Sequence, residues 1–180
     1  MAEETHLFVI WQKGRFAAAR ILEDIRKSFD IVHICEVHFP GKAVECYCQF
    51  YNTRCFNVRK KVSRCGNGPF LVVIVRVKDV RHVVDQYGKR VNALMYRKKS
   101  LYRQWCGGKY RVHGTLEQLE YNRDVYLLTG HTAEEWGNGV PSEIHMELPP
   151  FDSLPPPPRR ESVLFRMLRH LGFAKKKELI

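Results

Sequence analysis

The sequence predicts an α+β sandwich of the split βαβ kind: one antiparallel sheet with helices on one face, then a Pro-rich arm and a terminal helix. Three observations predict it. Phe70-Leu71-Val72-Val73-Ile74-Val75 is a continuous apolar run, as expected of a strand at the centre of a sheet. Ala18, Ile21, Leu22, Ile25 and Phe29 recur at helical spacing between two strand-like runs. Seven of the nine prolines fall between Pro141 and Pro158, where neither core helix nor central strand is sustained.

Taken in order, Leu7–Trp11 is too short for a helix and ends at Lys13-Gly14, which makes it a buried strand. The helix over 18–29 carries Arg20, Glu23, Asp24 and Lys27 on its polar side. Ile31–His38 reads as the second strand, stopped by Pro40-Gly41. Val44, Tyr47, Phe50 and Tyr51 permit a helix, and the basic stretch Val58–Arg64 permits another before Asn67-Gly68-Pro69. After the central strand, residues 78–87 and 92–105 are expected to be helical, and a short strand or loop follows Gly107-Gly108 through Val112-His113-Gly114. Thr115-Leu-Glu-Gln118 has the form of a capping box opening a helix that ends at Gly130, and Thr132-Ala-Glu-Glu135 repeats the form. Domain limits follow: a globular unit over 6–138, an arm over 139–161, and a basic amphipathic helix over 162–177. Leu164, Met167, Leu168 and Leu171 form the stripe of that helix.

The chain has 180 residues with 30 Lys+Arg against 19 Asp+Glu, a formal charge of +11, which favours phosphorylated or otherwise anionic partners. At 44% hydrophobic it can bury a core, which excludes wholesale disorder, and no apolar run reaches the length of a membrane span. The opening Met-Ala-Glu-Glu-Thr-His lacks the features of a secretory signal, so none is expected. The six cysteines lack paired C-x-x-C spacing; reduced thiols in a cytoplasmic setting and no metal site are the expectation.

The chemistry-bearing segment is Arg111-Val112-His113-Gly114-Thr115. A histidine just ahead of a helix N-terminus lies near free amides suited to phosphate. Its imidazole can attack a phosphoryl group if one nitrogen is unprotonated and a carboxylate holds the other. Glu117, Glu120 and Asp124 follow on the helix, and spacing does not choose among them. The plainer alternative is a histidine bonded to backbone in a turn.

Several of these residues, in order, resemble the nucleoside diphosphate kinase superfamily. Leu7–Trp11 with Gln12-Lys13-Gly14 is similar to that family's first strand and turn, and Gly68-Pro69-Phe70 to Val75 to its central strand. His113-Gly114-Thr115 is similar to its His-Gly-Ser motif, with Asp124 eleven residues on, where the family keeps a glutamate. The resemblance implies a ferredoxin-like fold and a nucleotide-binding phosphotransferase working through a phosphohistidine on His113, supported by Thr115 and Asp124. It implies Lys13, Arg97, Arg103 and Tyr51 as phosphate or nucleotide contacts, and Mg2+ accompanying the nucleotide. The chain departs from the pattern where Trp11 replaces a phosphate-binding lysine and Tyr110 an asparagine.

A competing class is a non-catalytic module that binds RNA or a protein through its basic face: Arg54–Arg64, and Arg97–Arg111 interleaved with Tyr96, Tyr102, Trp105 and Tyr110. The signature of RNA-recognition modules is absent. The stripe within 162–177 suits a protein groove, an anionic membrane surface or the chain's own core, and self-association into a homo-oligomer stays open.

Overall fold

A computed structural model describes residues 3–39, 41, 43–51, 55–135 and 143–145; the terminal helix expected over 162–177 lies outside them. The chain forms β1 (Glu4–Ile10), a 3-10 turn (Gln12–Ala17), α1 (Ala18–Ser28), β2 (Asp30–His38), α2 (Ala43–Tyr51) and α3 (Cys55–Cys65). There follow β3 (Phe70–Val77), β4 (His82–Val84), β5 (Arg90–Asn92), α4 (Ala93–Trp105), β6 (Val112–Gly114), α5 (Gln118–Thr129) and β7 (Glu143–His145). The main sheet has the order β6-β1-β3-β2-β7, and its first four strands pair antiparallel. That order, traversed as β1-α1-β2-β3-α4-β6, is the ferredoxin-like split βαβ arrangement.

Both faces of the sheet are covered. The apolar runs in β1 and β3 have no polar alternation, so each pleat direction needs a lid. Phe8, Ile10, Val73 and Val75 pack with Ile21 and Ile25 of α1 and Met95 and Tyr102 of α4. Leu7, Val9, Trp11, Val72 and Ile74 pack with Tyr47 and Phe50 of α2, Val58 of α3 and Tyr121 and Val125 of α5. The expected layer of helices is thus α1 with α4, and a second layer closes the other side.

Two local expectations change. Residues 78–87 are not helical: Asp79 takes φ +54°, and β4–β5 forms a separate hairpin. Asp85 Oδ1 accepts from the amides of Tyr87 at 2.8 Å and Lys89 at 2.9 Å, and Gly88 turns at φ +75°. Thr115 does not cap α5; the helix starts at Gln118 because the Thr115 hydroxyl is taken by β1. The later box does form in part, with Glu135 Oε2 accepting from the Thr132 amide at 2.6 Å. Finally, three residues of the proline arm add β7 parallel to the edge of β2, burying Ile144. No helix among the described residues is long and apolar enough to cross a membrane.

Candidate functional site

β6 is an edge strand of three residues, and its alternation decides the site. Val112 points into the α1/α4 face, whereas His113, opposite Val9 in register, points into the face closed by α2 and α5. Gly114 is required by space: a Cβ there would stand 2.9 Å from Cδ1 of Phe8. Two cations of α4 hold the strand on either side of the histidine. Arg103 Nε donates to the Val112 carbonyl at 3.0 Å, and Lys99 Nζ donates to the Gly114 carbonyl at 2.5 Å.

Asp124, two turns into α5, meets the imidazole: Oδ2 lies 2.9 Å from His113 Nε2. The histidine is 7% exposed and the aspartate 1%. Asp124 Oδ1 lies 3.1 Å from Arg123 Nη2 but accepts no well-aligned hydrogen bond. Arg123 also donates to the Phe50 carbonyl, which ties α5 to the end of α2. Glu120, one turn earlier, has Oε1 at 3.8 Å from His113 Nε2 and Oε2 accepting from the Leu116 amide at 2.8 Å. The edge of Phe50 meets the imidazole at 4.9 Å between centroids, with Tyr51 beyond at 6.2 Å. The Tyr51 hydroxyl accepts from Trp11 Nε1 at 3.2 Å.

Burial pushes His113 well below its ordinary value, with Lys99, Arg103 and Arg123 adding to the effect and Glu120 opposing it. Burial likewise pushes Asp124 up to about 7, against the pull of Arg123 and Lys99. The imidazole is therefore neutral at neutral pH. Once Asp124 is ionised it accepts from Nε2–H, which places the lone pair on Nδ1, the nitrogen a nucleophile needs.

Of the residues singled out from the sequence, the fold gathers His113, Asp124, Arg103 and Tyr51. The terminal Nη groups of Arg103 make no hydrogen bond among the described residues. The other three make their contacts elsewhere. Thr115 Oγ1 accepts from the Leu7 amide at 3.0 Å and meets His6 Nδ1 at 3.2 Å, so it fastens β6 to β1. Lys13 donates to the Ser63 carbonyl at 2.7 Å. Arg97 lies on the outward side of α4, lining a depression with Tyr96, Ser100, Leu101 and Gln104. Sequence reasoning missed Arg123, Phe50 and the strand-anchoring use of Lys99. The four-residue spacing of Glu120 and Asp124, which puts both on one helix face, was the one local signal available.

The ligand atoms of His113, Glu120 and Asp124 lie within 4.8 Å of one another. Magnesium takes oxygen ligands, and here the Asp124 carboxylate is already bonded to the imidazole and Glu120 Oε2 to the Leu116 amide. The set does not fit a protein-held magnesium.

Fold and site together define an α+β protein with a buried histidine–aspartate pair on the edge strand of a ferredoxin-like sheet. No protein-family model matches the chain, and no curated protein does. Among solved structures the chain is similar to the nucleoside diphosphate kinase of Aquifex aeolicus, at 18% identity and a TM-score of 0.47, covering 69% of this chain and 93% of that one. It is also similar to a nucleoside diphosphate kinase family protein from Babesia bovis, at 14% identity and a TM-score of 0.43, covering 74% of this chain and 97% of that one.

Proposed function

We propose that the protein is a nucleotide-dependent phosphotransferase that passes a phosphoryl group through Nδ1 of His113. The observation that carries the reading is the buried His113–Asp124 pair at 2.9 Å, which orients a neutral imidazole beside cations. In the forward step the Nδ1 lone pair attacks the terminal phosphorus of a nucleoside triphosphate. The bond to the bridging oxygen breaks, and the nucleoside diphosphate leaves with that electron pair. Asp124 stabilises the positive charge that develops on the ring through Nε2–H. Arg103, anchored by Nε with its Nη groups uncommitted, is the phosphate clamp. It takes the part that a lysine at position 11 would play, because Trp11 is 1% exposed and packed among Tyr47, Phe50 and Phe70. A second nucleotide accepts the group in the reverse step. The five described free cysteines suit a reducing, cytoplasmic setting.

The test is incubation with γ-labelled ATP or GTP and Mg2+, followed by detection of acid-labile, base-stable label. His113→Gln is expected to abolish the label, Asp124→Asn to lower it about 10-fold or more, and Arg103→Ala to raise the nucleotide concentration needed. No label with any common nucleoside triphosphate, in protein that melts cooperatively, overturns the reading.

A further inference from the structure

The end of the sheet where β1 stops and β6 starts carries a second basic surface, whose lining does not include His113, Asp124 or Arg103. There the C-terminus of α3 and the loop before β6 enclose a concavity of about 430 Å3 lined by Arg64, Gly107, Gly108, Lys109, Tyr110 and Arg111. Two aromatic rings stand exposed beside it, Phe16 at 71% and Tyr110 at 40%. Each has a guanidinium over it: Arg111 at 6.0 Å from the Phe16 centroid and Arg64 at 4.8 Å from that of Tyr110. Among the described residues none of Arg64, Lys109 and Arg111 is paired with a carboxylate.

The surface is braced rather than loose. Arg111 donates to the Cys106 carbonyl at 2.8 Å, and its own carbonyl accepts from the Trp11 amide at 3.0 Å. Gly14 sits so close that a Cβ would stand 2.8 Å from that carbonyl oxygen. Cys65 Sγ donates to the Tyr110 carbonyl at 3.1 Å, which fixes the loop to α3. A Cβ at Gly108 would meet nothing within 4 Å, so the floor of the concavity is open.

Uncompensated cations held beside outward-facing rings have a definite complement: a flexible chain of phosphates carrying aromatic faces. Each base can stack on a ring whatever its identity, while the cations follow the backbone. An acidic peptide would satisfy the cations and leave the rings without partners; a single nucleotide would engage one ring only. We propose that this surface binds single-stranded nucleic acid without sequence preference, with bases on Phe16 and Tyr110 and phosphates on Arg64, Lys109 and Arg111. The proposal is independent of phosphoryl transfer at His113.

The experiment is a titration of the full chain with a fluorescent dT12 oligomer from low to moderate salt. Three phosphate contacts predict that log K falls against log salt with a slope of about −2. Phe16→Ala is expected to weaken binding roughly five- to a hundredfold. Arg64→Ser with Lys109→Ser is expected to bring the slope to about −0.7. All three replaced side chains are exposed, and unchanged melting verifies the fold. His113→Gln is expected to bind the oligomer as the unaltered chain does. No binding at low salt overturns the proposal, as does binding that the substitutions leave unaltered, which would place the oligomer on the basic tail. Equal displacement by AMP or by poly-glutamate overturns it in favour of a mononucleotide or an acidic peptide. Loss of oligomer binding in His113→Gln overturns it as well, because it would place the strand at the imidazole. Missing phosphohistidine label with oligomer binding intact would remove the phosphotransferase reading alone.

Discussion

The face of the sheet under α1 and α4 and the face under α2, α3 and α5 are built from alternate residues of the same two strands, yet they are closed differently. On the first, Phe8 meets Phe29 at 5.6 Å and Tyr102 at 5.1 Å, and aliphatic side chains fill the rest. Its carboxylates stay toward the rim: Asp24 Oδ2 receives Lys98 at 2.6 Å and the Tyr102 hydroxyl at 2.8 Å, and half-buried Glu4 lies 3.1 Å from the buried His6. On the second, Trp11 is the hub of an aromatic cluster, and the His113–Asp124 pair is taken inside with it. Burying an ionisable pair costs stability that an apolar replacement would avoid. Among the described residues a carboxylate is fully buried on the second face alone, so the proposed chemistry and the plainer apolar packing fall on opposite sides of one sheet.

Breaking the hydrophobic contacts on each side tests that division most severely. Phe8→Ala is expected to cost about 3–5 kcal/mol by denaturant titration while leaving the label per folded molecule unchanged. Phe50→Ala should cost a similar amount and also lower the label, since the ring meets the imidazole and the Phe50 carbonyl holds Arg123. Equal labelling losses in the two variants would erase the contrast between the faces.

The next effect is pH-dependent. Asp124 has a folded pKa of about 7, raised from 3.8, so the fold favours its protonated form. That contribution is complete below about 3.8 and is lost as pH rises through 7. His113 is pushed down, so its neutral form is favoured and its contribution is lost as pH falls below 6.5. Asp124→Asn removes only the first of these. Its denaturation midpoint should therefore gain on that of the unaltered chain between pH 5 and pH 8, even as its label falls. A midpoint difference that does not move with pH would show that the carboxyl is not titrating in this range. In the unaltered chain labelling should rise through pH 7, as ionised Asp124 comes to hold Nε2–H.

Smaller effects belong to the first face and to the hairpin. Tyr102→Phe removes the hydroxyl bonded to Asp24 and should cost about 1–2 kcal/mol with no change in label. Gly88→Ala, at φ +75°, should cost about 1 kcal/mol, read as earlier amide exchange confined to the hairpin.

Much of the frame was legible because it rests on local pattern. Apolar runs at 7–11 and 70–75 can only be strands buried on both sides, and the 18–29 periodicity can only be an amphipathic helix. Val83, Val84 and Asp85-Gln-Tyr-Gly88 carried a hairpin signal, but a helical reading of 78–87 ignored what Asp85 and Gly88 do to a turn.

By itself the sequence determined the order of the elements from β1 to β3 and the helices on either side of His113, the basic charge, and a histidine placed between a strand and a helix with carboxylates following it. Only the tertiary structure decided that Asp124 is the carboxylate bonded to it, that Thr115 fastens β6 to β1 rather than capping α5, and that Arg97 faces outward while Lys99 and Arg103 bracket His113. The reason is physical. Helix and strand periods depend on neighbours within a turn or two. Contacts such as Thr115 with Leu7, 108 residues apart, depend on which face of the sheet each element covers, and that is set by packing of the whole chain.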